Sequence, residues 1–319
     1  MSVTQTQFAT WRPSAAKRAV ACGDFSRLCY RIGDVSFGMK AFDGLRMKLD
    51  PSLRGFAAES AKCDVEVKIS LADKLQVPAQ EPLFASGGLW TLFAEDGGYR
   101  LNFLRSFAGE APYKTAWFDE EFRRGELQLS REFFNTRDAV YPMEYPLDEV
   151  LMIHHLTSGK GGCGKGIEVH ALGVVDDAGG GHLFLGHSGA GKSTSARLWQ
   201  GVPGVRILSD DRIILRRREG QLWMYGTPWH GDAGIASPHA ALLTNVYVLE
   251  QAPRNELVEM PRSIAAAEIF ARSFVPRHCP EALQFALQFI EQLCGELPCQ
   301  TFRFLPERTA VEAIRHGRG

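Results

Sequence analysis

Residues 186–194 read GHSGAGKST, matching the spacing Gly-x-x-x-x-Gly-Lys-Ser/Thr, which restricts the local fold to a strand, a tight glycine turn and a helix. Gly186, Gly189 and Gly191 can take backbone angles closed to other residues, so consecutive N–H groups can point into one hollow with no Cβ in the way. Lys192 adds a mobile positive charge. Ser193 adds a hydroxyl suited to a divalent cation, and the helix that opens there directs its positive end at the same place. Thr194 is a second hydroxyl that supports the helix. The whole loop (Gly186, His187, Ser188, Gly189, Ala190, Gly191, Lys192, Ser193, Thr194) is therefore expected to cradle the phosphates of a nucleotide.

The flanks meet the same requirement. Residues 182–185 (HLFL) form a short apolar run suited to a buried strand, and 193–200 (STSARLWQ) reads as a helix closed by Gly201 and Pro203. A second stretch, 159–166 (GKGGCGKG), has similar glycine-lysine spacing but ends in Gly166 where the hydroxyl would be; it reads as a connector.

The length of 319 residues leaves room for two domains, and 45% hydrophobic with 23% charged residues is ordinary for a soluble globular chain. A net charge of −1 gives no general attraction to nucleic acid or an anionic membrane, so phosphate recognition has to be local. With neither a signal-like start nor an apolar run of spanning length, the expected location is cytoplasmic. The seven cysteines (Cys22, Cys29, Cys63, Cys163, Cys279, Cys294, Cys299) are scattered without a C-x-x-C pair, which argues for reduced thiols over a disulfide framework or zinc cluster.

Two domains are expected: a β-rich N-terminal domain over 1–142 and an α/β domain over 143–319. In the first, Val65, Val67 and Ile69 alternate with polar residues, and Asp96-Gly97-Gly98 predicts a hairpin of 89–93 with 99–104. The proline-punctuated 141–146 marks the boundary, followed by a helix at 147–156. Strands are then predicted at 168–175, 182–185, 205–208, 213–216 and 246–250, and helices at 263–274, 281–294 and 307–316.

Past the loop, 205–211 (VRILSDD) places two adjacent carboxylates at the end of an apolar strand. Ligands of open α/β sheets collect at such strand ends, so Asp210-Asp211 and the loop should converge. One carboxylate would hold Mg²⁺ and the other would orient or deprotonate an attacking hydroxyl. The plainer alternative is a hairpin turn joining 207–208 to 213–215. The segment 226–234 (GTPWHGDAG) could close over the site or be a simple turn.

The order His170, GHSGAGKST, LSDD resembles the HPr serine kinase/phosphorylase family and its cousin, ATP-dependent phosphoenolpyruvate carboxykinase. The resemblance runs over about 145–315 and implies a P-loop kinase domain. It places His170 beside the transferred phosphate or metal, Asp211 and Ser193 on the metal, and Asp210 as catalytic base, with Lys192 among the catalytic groups. The Arg-Gly-Leu-Gly signature of the bifunctional enzymes is missing, and Thr194 stands where they carry glutamate, so the likeness is to the broader HPr-kinase-like group. The activity implied is ATP- and Mg²⁺-dependent phosphotransfer to a hydroxyl, serine in a protein, peptide or small molecule, with a homo-oligomer common among such relatives. A nucleotide-binding regulatory module without transfer is the alternative.

Overall fold

The computed structural model of the protein describes residues 26–104, 111–134, 138–158 and 164–316. These form a mixed α/β structure with two large sheets, divided into one compact unit of 26–164 with 276–282 and another of 165–275 with 283–316. Most of the connector-like stretch 159–166 lies outside the described residues.

The first unit contains β1 (Arg27–Ile32), β2 (Val35–Ala41), β3 (Val65–Ala72), β4 (Phe84–Ala85), β5 (Trp90–Glu95), β6 (Gly98–Leu104), β7 (Pro112–Asp119) and β8 (Arg124–Ser130). They make one sheet in the order β1-β2-β3-β8-β7-β6-β5-β4. The alternation in β3 is real: Val65, Val67 and Ile69 are buried while Lys68 faces out. The β5–β6 hairpin turns on Gly97, whose φ of +70° explains the glycine. Strand β7 leaves no alternating pattern because 112–116 are buried on both faces, including Lys114, whose Nζ donates to the Glu144 carbonyl at 2.9 Å. The unit also contains a 3-10 turn at Pro51–Phe56 and the helices α1 (Arg131–Phe134) and α2 (Leu147–Thr157). The sequence boundary assigns α2 to the following domain, whereas its contacts group it here.

The second unit holds β9 (Gly166–Val175), β10 (Gly181–Leu185), α3 (Lys192–Trp199), β11 (Arg206–Ser209), β12 (Arg212–Arg218), β13 (Gln221–Gly226), β14 (Ala240–Gln251) and β15 (Glu256–Glu259). It continues with α4 (Arg262–Ala271), β16 (Ser273–Phe274), α5 (Pro280–Glu296), β17 (Cys299–Phe304) and α6 (Thr309–His316). Strand order is β10-β9-β12-β13-β14-β17-β15, and a further parallel pairing of β10 with β14 closes a circuit through the long strands β9 and β14. One face of this arrangement buries Ile167, Val169, Leu183, Leu185, Ile213 and Leu215 with Ile269 of α4 and Ile290 of α5. The other buries Leu172, Val174, Phe184, Tyr247 and Phe302 against Ala196 and Trp199 of α3 and Val311 of α6. Burial on both sides is why 171–175 of β9 and 183–185 of β10 read as continuous apolar runs.

Helix α4 is shorter than the predicted 263–274. It ends at Ala271 because 273–274 extend and pair with Val169 and Glu168 of β9. Among the described residues no helix is long and apolar enough to cross a membrane.

On α2, His154 is buried. Its Nδ1 lies 2.7 Å from the Val150 carbonyl and its Nε2 3.4 Å from Nε2 of His278. Burial pushes its pKa down to about 4, with the Val150 contact pulling the other way and His278 adding to the fall. The folded state thus refuses a proton that the unfolded chain accepts below its ordinary pKa. Stability is fully present above that value and declines as pH falls toward 4, by about 3 kcal/mol from this residue. Urea unfolding between pH 7 and 4 should show that decline, and a His154→Gln variant should show a shallower one.

Candidate functional site

The loop 186–191 leaves the end of β10 and turns into α3 as the spacing requires. Gly189 and Gly191 have φ of +83° and +106°, and Gly191 takes the N-cap position of α3 with no side-chain cap for the first N–H groups. Gly191 is constrained twice, since a Cβ there would stand 2.7 Å from the Phe304 ring beneath it. Gln251, at the end of β14, donates to the Gly189 carbonyl at 3.1 Å and holds the turn from the side. Lys192 is 8% exposed and folds over the loop, its Nζ donating to the Gly186 carbonyl at 2.7 Å. Burial lowers the Lys192 pKa; Asp211 opposes that fall, and Arg272 and Arg212 add to it.

Asp210 and Asp211 do not form a hairpin turn. Strands β11 and β12 both run antiparallel to β9, with Ser209 opposite Gly173 and Arg212 opposite His170, so the two acids fill a two-residue bend that stays in step with β9, Ala171 N–H donating to the Asp211 carbonyl at 3.0 Å; the register shift lies just before, between Ile207 and Ser209. Ser209 stabilises the bend: its hydroxyl accepts from the N–H groups of Asp211 and Arg212 and donates to the Trp229 carbonyl, each at 3.2 Å.

The two carboxylates take different partners. Asp211 Oδ1 lies 2.9 Å from His170 Nε2, and its other oxygen pairs with Arg212. Burial raises the Asp211 pKa, but the His170 hydrogen bond, Arg212 and Lys192 outweigh it and leave it below the usual carboxylate value. Asp210 is 3% exposed and accepts from three backbone N–H groups: Gly231 at 3.1 Å, Ala233 at 2.9 Å and Ile235 at 3.3 Å. Both its oxygens are committed to the segment 229–235, which places Gly231 and Asp232 on the wall of the same cavity.

That cavity, of about 340 Å³, is bounded by His170, Lys192, Ser193, Thr194, both aspartates and the loop residues His187, Ser188, Gly189 and Gly191, while Ala190 is buried behind it. A second, of about 410 Å³, shares His170, His187 and Ser188 with it and extends to Ala271, Arg272 and Phe274. The residues singled out in sequence are thus brought together. Arg272 and Gln251 were not singled out. Arg272 sits where α4 gives way to β16, its carbonyl accepting from His170 N–H at 2.8 Å, and its buried Nε has no hydrogen-bond partner. No local pattern marks it, because it reaches the site only through the pairing of β16 with β9.

No group of three or more His, Cys, Asp or Glu among the described residues forms a metal cage. The oxygens of Ser193 and Asp211 suit a hard cation that takes its other ligands from phosphate and water, as Mg²⁺ commonly does.

No protein-family model and no curated protein sequence matches the chain. Among solved structures it is similar to the HPr(Ser) kinase/phosphatase from Coxiella burnetii, with 16% identity over 47% of this chain and 91% of that one, at a TM-score of 0.27. Overlap of that degree assigns neither a site nor an activity.

The two glycines of the loop should respond unequally to substitution. Gly189→Ala meets open space and adds only backbone strain, about 1 kcal/mol, whereas Gly191→Ala adds the collision with Phe304 and should cost 2 kcal/mol or more, roughly. Denaturant midpoints of the two variants measure the difference.

Proposed function

We propose that the protein is an ATP-dependent kinase that transfers the γ-phosphoryl group to a hydroxyl, serine in a protein, peptide or small molecule. The observation that carries this reading is the convergence of Lys192, the glycine loop and the Asp211–His170 pair on one cavity. Loop N–H groups and Lys192 neutralise phosphate charge, while Arg212 and Arg272 reinforce the positive potential around Lys192. Ser193 and Asp211 would hold Mg²⁺, which when bound neutralises charge on the phosphates. The adjoining cavity past His170 offers the acceptor a place beside the loop.

His170, oriented by Asp211, is the group best placed to take the acceptor's proton, following the logic of an imidazole held by a carboxylate. Asp210 then serves as a positioning residue. The base role implied for it by the family resemblance fits its surroundings less well, because three amide donors already occupy its oxygens.

Acceptor-dependent release of ADP from ATP, screened over free serine, peptides and proteins, tests the activity. Lys192→Ala should reduce it at least 100-fold, roughly. Tight nucleotide binding with no transfer to any acceptor would favour a regulatory module instead.

The two aspartates should separate in the same assay. Asp211→Asn is expected to lower kcat by a factor on the order of 100 with little loss of stability. Asp210→Asn turns a donor amide toward backbone N–H groups, so it should lower the melting temperature and cost about 1–3 kcal/mol. A fully stable Asp210→Asn protein without turnover would return the base role to Asp210.

A further inference from the structure

Cys29 on β1 and Cys63, two residues before β3, are 34 positions apart, yet their Sγ atoms lie 2.8 Å apart. Both are free thiols. That separation exceeds a covalent S–S length of about 2.05 Å by less than 1 Å, roughly, so bond formation asks for only a small displacement. We propose that Cys29 and Cys63 are an oxidative modification site, a dithiol that a small-molecule disulfide such as oxidised glutathione converts to an internal disulfide joining β1 to the approach of β3.

Three features build the pair. Cys29 lies opposite Gly38 in the β1–β2 ladder, and Gly38 lies opposite Glu66 in the β2–β3 ladder, so β2 stands between the two cysteines. Gly38 leaves the gap through which they meet: a Cβ there would sit 3.0 Å from Cys63 Sγ and 3.2 Å from Cys63 Cβ. The backbone around Cys63 is fixed on both sides. Its N–H donates to Glu66 at 2.8 Å, and Asp64 both accepts from the Ser36 hydroxyl at 2.6 Å and donates its own N–H to that hydroxyl at 2.9 Å. Cys29 is half-buried and Cys63 is buried, so an incoming disulfide meets Cys29 first.

The step balances without another reactant. Cys29, as its thiolate, attacks one sulfur of the small disulfide and expels a thiolate. Cys63 then loses its proton, attacks Cys29 Sγ in the mixed disulfide and expels the second small thiolate. The two protons end on the two small thiols, so the protein dithiol is oxidised and the small disulfide reduced. Burial, the neighbouring sulfur and Glu66 push the Cys29 thiol up to about 12, with Arg27 opposing. A thiol so reluctant to ionise attacks slowly and also leaves slowly, which makes the bond durable once formed.

The full chain, incubated with oxidised glutathione and digested with trypsin without reductant, should yield peptide 28–31 joined to peptide 63–68, released by dithiothreitol. Cys63→Ser should abolish the joined species. Gly38→Ala, which displaces Cys63, should slow its formation about tenfold. The oxidised wild-type protein should melt several degrees above its reduced form, a shift Cys63→Ser cannot show. Recovery of the two peptides only separately, free or as mixed disulfides, would overturn the proposal, as would joining at an unchanged rate in a folded Gly38→Ala protein.

Discussion

Strand β9 is paired along its whole length. Its first half lies between β12 and β16 and its second half between β11 and β10, so it fixes where the loop, the acids and Arg272 come to rest. His170 sits near the middle, at the changeover from one set of partners to the other. The chain on one side passes from β11 to β12 there, and Asp211 meets the imidazole. Adjacent residues of extended chain point to opposite faces of a sheet. One of the two aspartates meets the backbone of 229–235 and the other meets His170.

Charge in the cavity follows from this placement. Lys192, Arg212 and Arg272 crowd one region, and Asp211, Glu168 and Glu268 supply the nearby negative charge, Glu168 lying 3.6 Å from Arg212 and Glu268 2.6 Å from Arg272. Like cations held close under partial desolvation repel one another, so a polyanion entering the cavity would relieve repulsion as well as gain attraction. Lys192 meanwhile donates to the loop's own Gly186 carbonyl, which keeps its ammonium satisfied.

Much of this was legible in the sequence, for identifiable reasons. The loop and its flanks announce themselves because glycine spacing and apolar runs are local signals, and Val65, Val67 and Ile69 report a strand through simple alternation. Strands β1, β2 and β7 and the short β16 gave weaker signals, β7 because both its faces are buried and β16 because it is two residues long. The different surroundings of Asp210 and Asp211 were not readable from the sequence. They depend on amides that arrive from 21 to 25 residues downstream. Arg272 and the Cys29–Cys63 contact were hidden for the same reason, since each is made by strand pairing between distant segments.

The anchoring of 229–235 on Asp210 has a mechanical side. A stretch containing Gly231 and Gly234 would ordinarily be slack, yet three of its amides converge on a single carboxylate that solvent hardly reaches. One side chain thereby acts as a pivot pin for an entire wall of the cavity. Widening that wall to admit a bulky guest means breaking several hydrogen bonds together, so the aperture should open as one cooperative event rather than by gradual yielding.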